Sequence, residues 1–296
     1  MSFNRRTFIK QVGLGLGTAY FAPSLLGCSS QPTAKSAEKE IGIQLYTLRH
    51  LLDNQLDATL ARVAEIGYNH VETFGPEIDG TGNVSFWGAS PQSLRNLLGE
   101  YGLKTYSGHY NLPDFLTPGN GNDRDLRAFI DTAAELGQEY VIVPAPPIPR
   151  IDQFKISDYE FIADQLNKGA ELAAQSGIQI GYHNHFWEFR PFDGGRRGLD
   201  VLLTNTTDPV FELDLFWSEK SGMKSTDYFE KYPGRFPLWH VKDMDKSNTA
   251  PVIGPEEDKK PVMEIVKNIS YAEVGTGSID FKAIFAKKDT AGLQHI

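Results

Sequence analysis

The sequence predicts a single-domain α/β fold, a (β/α)8 barrel, and three observations carry that prediction. An amphipathic run, a glycine and a short apolar strand recur along the chain, as in successive βα units. Polar residues gather past the ends of several strands rather than in one crevice, and no G-x-G-x-x-G follows the first strand, which argues against the competing doubly wound open sheet. With 296 residues, 40% of them hydrophobic, the chain can build one core of this size.

The N-terminus reads as an address. Asn4-Arg5-Arg6-Thr7-Phe8-Ile9-Lys10 has the spacing of a twin-arginine export signal, and Val12 to Ala22 supplies a short, Gly-rich apolar segment. Leu25-Leu26-Gly27-Cys28 resembles a lipobox, which implies cleavage of residues 1–27, acylation of Cys28 and, with Ser29 next, delivery to the outer membrane on its periplasmic side. An uncleaved leader is the alternative. Residues 28–40, rich in Ser, Ala, Lys and Glu, read as a flexible tether, and 41–296 as the barrel. The apolar segment is too short to span a bilayer as a helix, so contact with a membrane is expected only through the lipid.

The repeat sets the elements. Glu65-Ile66-Gly67-Tyr68, Glu100-Tyr101-Gly102-Leu103, Glu135-Leu136-Gly137-Gln138 and Gln175-Ser176-Gly177-Ile178 are its junctions. Leu56, Leu60, Val63 and Ala64 before the first glycine, and Leu126, Phe129, Ile130, Ala133 and Ala134 before the third, have helical spacing. A glycine just past a helix allows the left-handed turn into the next strand. The strands are expected at 41–46, 70–74, 103–107, 140–144, 178–183, 210–214 and 237–241. Ala291-Gly292-Leu293-Gln294-His295-Ile296 starts an eighth, which is expected to be truncated at the C-terminus, its polar end lying beyond residue 296.

Composition narrows the function. A formal charge of −9 and the lack of a Lys/Arg cluster in the body argue against a nucleic-acid surface and favour small molecules. Cys28 is the only cysteine, so a metal would be held by His, Asp or Glu. Residues at i and i+2 of a strand share a face, so His183 with His185, Glu212 with Asp214, and His240 with Lys242 can point into one space. That is the composition of a divalent-metal site with a proton-transfer group beside it. Glu212 is expected to form a buried ion pair with Lys242. Gly275 to Gly277 could cradle a phosphate, although a plain loop before the last helix is the simpler reading.

Gln44-Leu45-Tyr46, Val71-Glu72, Ser107-Gly108-His109, Tyr182-His183-Asn184-His185, Leu213-Asp214, His240-Val241-Lys242-Asp243 and Glu273 to Asp280 together resemble the xylose isomerase-like TIM-barrel superfamily, which includes sugar phosphate isomerases/epimerases. The resemblance implies one divalent ion, held here by His183, Asp214 and His240, with a further ligand on the eighth strand. His183 stands where the family has a carboxylate, which departs from epimerisation by two carboxylates. The donor types favour Mn²⁺, Co²⁺ or Zn²⁺.

The expected chemistry is proton abstraction next to a carbonyl, by an isomerase or epimerase acting on an unphosphorylated sugar or keto-sugar in carbohydrate metabolism. A keto-glycoside lyase or dehydratase is one alternative, and a non-catalytic carbohydrate-binding surface lipoprotein another. His185 or Glu188 is the expected base, with Lys242 at the developing oxyanion. Trp187, Trp217 and Tyr46 are expected to stack on the sugar, and Gln44, Glu72, His109 and Asp243 to bind its hydroxyls. Trp187 and Trp217 could equally be core fillers. A partner sugar oxidoreductase could supply a keto-sugar outside the cytoplasm.

Overall fold

The computed structural model describes residues 40–147 and 153–296. The leader, Cys28 and all but the last residue of the tether lie outside the described residues.

Seven parallel strands form one sheet: β1 Gly42–Gln44, β2 His70–Phe74, β3 Ser107–His109, β4 Tyr140–Val143, β5 Gln179–His183, β6 Val210–Asp214 and β7 Leu238–His240. Each pairs with the next in chain order. An order that never reverses has no switch point, which rules out the doubly wound sheet. Residues 295–296 bridge its two edges. His295 forms a parallel bridge with Leu238, and the N–H of Gly42 donates to the Ile296 carbonyl at 2.7 Å. The chain thus makes a TIM barrel whose last stave is short.

Helices α1 Arg49–Ile66, α2 Pro91–Glu100, α3 Arg124–Leu136, α4 Ile156–Ala174 and α5 Gly198–Asn205 cover the outside. In α3 the buried residues Leu126, Phe129, Ile130, Ala133 and Leu136 make one apolar stripe, the period of a helix lying on a sheet. Gly137 caps it at φ 81°, a backbone angle that costs a residue with a Cβ.

The third strand begins later than expected. Lys104 touches β2 only through an isolated bridge to His70. Between it and β3, the Gln138 side chain donates to the Thr105 hydroxyl and the Ser107 carbonyl, both at 2.9 Å. Regular pairing resumes at Ser107–His109, which carries His109 to the end of the strand.

Inside the ring, Tyr140, Ile142 and Leu238, with Val210, form an apolar floor. The polar residues of the same strands lie beyond it, toward their C-terminal ends. This is the end at which barrels carry their sites.

Candidate metal centre

Strand register brings the polar residues together. His183 pairs with Glu212, and Asp214 with His240. Glu212 accepts from His109 Nε2 at 2.7 Å and from His183 Nδ1 at 2.8 Å, both through Oε2. Glu72 accepts from His240 Nε2 at 2.8 Å through Oε2 and from the Ser107 hydroxyl at 2.7 Å through Oε1. One donor atom each from His109, His183, Glu212 and His240 lies within 4.8 Å of the others, a cluster that could hold a metal ion.

A carboxylate only accepts, so these contacts assign the tautomers. His183 carries a proton on Nδ1, His240 on Nε2 and His109 on Nε2, with His109 Nδ1 accepting from Gln44 Nε2 at 3.2 Å. Two nitrogens remain. His183 Nε2 lies 3.8 Å and His240 Nδ1 3.9 Å from Asp214 Oδ2, and His240 Nδ1 is a buried atom without a hydrogen-bond partner. Ligand atoms about 2.1 Å from one ion are at most about 4.2 Å apart, so each of these nitrogens is close enough to Asp214 Oδ2 to share a cation with it.

The field favours positive charge. Burial works to lower the pKa of His240, yet Glu212 and Glu72 outweigh it and raise it to about 10, so without an ion Nδ1 also holds a proton, which a bound cation would displace. Burial also works to raise Glu212, and His240 and His109 hold it well below the usual carboxylate range. His183 is depressed by burial despite its bond to Glu212. Lys242 Nζ sits 2.5 Å from Asp214 Oδ2. The expected Lys242–Glu212 pair is therefore not formed, because Glu212 is turned toward the imidazoles.

His185 borders this group, with its ring 4.9 Å from that of His183. It stacks on Trp187 at 4.2 Å and 12°, and its buried Nδ1 has no partner. Burial, then the charge of Lys242, keeps it neutral by depressing its pKa strongly.

Glu188 occupies a different place. Fully buried, it accepts from the Tyr182 hydroxyl at 2.6 Å and from the His185 N–H at 2.8 Å. Burial lifts its pKa to about 7 against these bonds. The structure corrects its role as base, since both oxygens are engaged in holding the His185 turn.

Three further expectations change. Asp243 is unavailable to sugar hydroxyls because its carboxylate accepts backbone N–H groups from Met244, Gly275, Gly277 and Ile279 at 2.8–3.2 Å. The same bonds fill the Gly275–Gly277 turn, so it offers no phosphate cradle. Trp187 and Trp217 are each only 4% exposed, packed with Phe186, Phe216, Met244 and Ile265, and they support His185 instead of offering a face to a sugar.

Tyr46 is open, at 53% exposure. Tyr271, which no motif marks, is equally open and close enough to Lys242 and Asp214 to feel their charges. Gln44, Glu72 and His109 lie in the cluster, where they bond to its members.

A family model described as xylose isomerase-like TIM barrel matches residues 60–295. The chain belongs to the xylose isomerase-like TIM barrel family. An inosose dehydratase from Geobacillus thermodenitrificans is 24% identical over 224 residues, covering 68% of this chain and 70% of that protein. An inosose dehydratase from Clostridium perfringens is 28% identical over 142 residues, 45% of this chain but only 43% of its own length. Among solved structures, a sugar phosphate isomerase/epimerase from Parabacteroides distasonis superposes with a TM-score of 0.69 at 24% identity, covering 90% of this chain and 91% of that one. A D-tagatose 3-epimerase-like protein does so at 0.57 and 17%, covering 86% and 88%. At these identities the structures establish the shared barrel.

Proposed function

We propose that this chain is a divalent-metal-dependent enzyme that removes a proton next to the carbonyl of an unphosphorylated sugar or keto-sugar, acting as an isomerase or epimerase. One observation carries the reading. His183 Nε2 and His240 Nδ1, neither hydrogen-bonded among the described residues, face Asp214 Oδ2, and Lys242 contacts that same oxygen.

An ion held by His183, Asp214 and His240 would polarise a carbonyl and its neighbouring hydroxyl and so acidify the C–H between them. The residues supply the rest. His185, neutral and with an unpaired Nδ1, takes the proton. Lys242 steadies the negative oxygen that develops. Return of the proton to the opposite face of the carbon gives an epimer, and return to the adjacent carbon gives an isomer. Glu72, Glu212 and Asp214 crowd the site, and its cation Lys242 is already paired, so an added phosphate would meet repulsion.

A second reading follows from the inosose dehydratases to which the chain is similar. The same proton removal, followed by departure of the β-hydroxyl as water, gives an unsaturated ketone.

Proton exchange tests both. Full-length protein loaded with Mn²⁺, Co²⁺ or Zn²⁺ is incubated in D₂O with D-tagatose, D-fructose and an inosose. Loss of the α-proton signal by NMR is expected, about 100-fold slower in His185→Ala. Enone absorbance with the inosose would select the dehydratase. Neither exchange nor bound metal would leave a sugar-binding surface lipoprotein.

Twin-arginine export, a lipid anchor at Cys28 and supply of keto-sugar by a partner oxidoreductase belong to the same proposal. Cys28→Ala should abolish fatty-acid labelling and release the protein from membranes.

A further inference from the structure

We infer that Glu72 and Glu212 are positioning residues that form an outer shell, turning His240 Nδ1 and His183 Nε2 toward the ion and leaving Asp214 as the carboxylate that touches it. This rests on the metal-centre reading above and assigns roles within it.

An imidazole has two nitrogens, and committing the N–H of one to a carboxylate leaves the other as the lone-pair donor. Glu72 does this for His240 from the far side of the ring, reaching from β2 to β7. Its other oxygen is tied to the Ser107 hydroxyl on β3, so the carboxylate cannot rotate away without breaking a buried bond. Glu212 does it for His183, and His109 holds the same Oε2 from β3 while Gln44 in turn holds His109. Every member of this chain of contacts is anchored on a strand or at the end of one. Such carboxylate–histidine pairs fix ring orientation and raise ligand basicity.

The arrangement also accounts for His183 in a place where a carboxylate was expected. The negative charge lost from the ligand set is restored one layer out by Glu212, in contact with the same ring. Asp214, Glu72 and Glu212 together then match a divalent ion and Lys242.

The alternative is that one donor atom each of His109, His183, Glu212 and His240 binds the ion directly. The two arrangements differ in which carboxylate is indispensable. Affinity of the full-length protein for Mn²⁺ and Zn²⁺, measured by competition with a fluorescent chelator, separates them without recourse to activity.

Asp214→Ala, His183→Ala and His240→Ala should each lose binding by more than about 1,000-fold, whereas Glu72→Gln and Glu212→Gln should weaken it about 10- to 100-fold. Glu72→Gln keeps an acceptor oxygen and should bind more tightly than Glu72→Leu. Ser107→Ala, a smaller change that guards against misfolding of the glutamate variants, should weaken binding several-fold. Abolition of binding by Glu212→Gln with retention in Asp214→Ala would make Glu212 the ligand and overturn the inference. Wild-type affinity in the Glu72, Glu212 and Ser107 variants would overturn it too, while the metal centre stood. A wild-type protein that binds no ion would remove the metal reading as a whole.

Discussion

Lys242 Nζ lies 2.5 Å from Asp214 Oδ2, the oxygen that also faces His183 Nε2 and His240 Nδ1. The other oxygen of Asp214 accepts the Trp217 N–H at 3.0 Å and so caps the helix Leu215–Lys220. Asp214 is fully buried, and burial acts against the charge on Lys242 but is outweighed by Asp214, so the lysine stays charged. Removing the lysine strands the carboxylate.

Lys242→Met should therefore destabilise the metal-free protein by about 1–3 kcal/mol, less than a fully buried pair would give because the lysine side chain is 37% exposed. Saturating Mn²⁺ should restore most of this loss, since a cation then faces the same oxygen. Proton exchange should stay about 100-fold down. Urea denaturation with and without Mn²⁺ is the measurement. An equal loss in both conditions would show that ion and lysine do not share Asp214.

Asp243 carries a different burden. Four backbone N–H groups converge on its carboxylate, which joins the turn after β7 to residues 275–279. Asp243→Ala leaves those donors without a partner and should cost about 2–4 kcal/mol. Gly277→Ala should act in the same direction, because a Cβ there runs into Asp243 Oδ1 and the Met244 carbonyl. Both variants should keep their metal affinity once folded. Loss of metal affinity without loss of stability would return Asp243 to the site.

The barrel was legible because its signal is periodic. Glycines at 67, 102, 137 and 177 all sit at left-handed angles past helices, where the repeat needs them. The site was legible as a group of residue types on strand ends, since i and i+2 spacing does put Glu212 and Asp214 on one side. What spacing could not give was rotation of each ring or carboxylate. Which oxygen of Asp214 meets Lys242, and which glutamate takes which histidine, depends on neighbours from strands more than a hundred residues away, as with Glu72 and His240. Asp243 and Glu188 misled for a related reason. A polar side chain next to a site can be consumed by local backbone, and sequence does not show unsatisfied N–H groups. Tyr271 had no motif at all, because it is placed by a two-residue antiparallel pairing of 271–272 with 243–244, more than twenty residues earlier in the chain.

His70 gives the barrel floor a pH dependence. It is 5% exposed, faces Gly42, Tyr106 and His295, and has a buried Nδ1 without a partner. Burial, with some help from His295, lowers its pKa from 6.5 to about 4. Between these values the unfolded chain binds the proton and the folded chain does not, so stability rises with pH across the window and falls on acidification. The full effect is about 3 kcal/mol. Other buried histidines add to the acid loss, so the useful quantity is a difference. The stability of wild type minus that of His70→Met should fall by about 2–3 kcal/mol between pH 6.5 and pH 4 and stay flat above pH 7. A difference independent of pH would mean that His70 titrates alike in the folded and the unfolded chain.

Tyr46 and Tyr271 bear on how a sugar approaches. Each is about half exposed, and each is braced from behind, Tyr46 by the edge of Phe74 at 5.2 Å and Tyr271 by Phe216 at 4.6 Å. Arg49 lies over the Tyr46 ring at 4.3 Å, which leaves one face for a ligand. Braced rings lose little freedom on contact, so each should contribute about 1 kcal/mol of binding. If that contact is the same before and during proton removal, losing it raises KM without touching kcat. Tyr46→Ala and Tyr271→Ala should each raise KM for an exchanging sugar about 5-fold at unchanged kcat, and the Phe variants should behave like wild type. A fall in kcat at constant KM would instead place the phenol at the reacting atoms, and unchanged kinetics in both alanine variants would put the path of entry elsewhere.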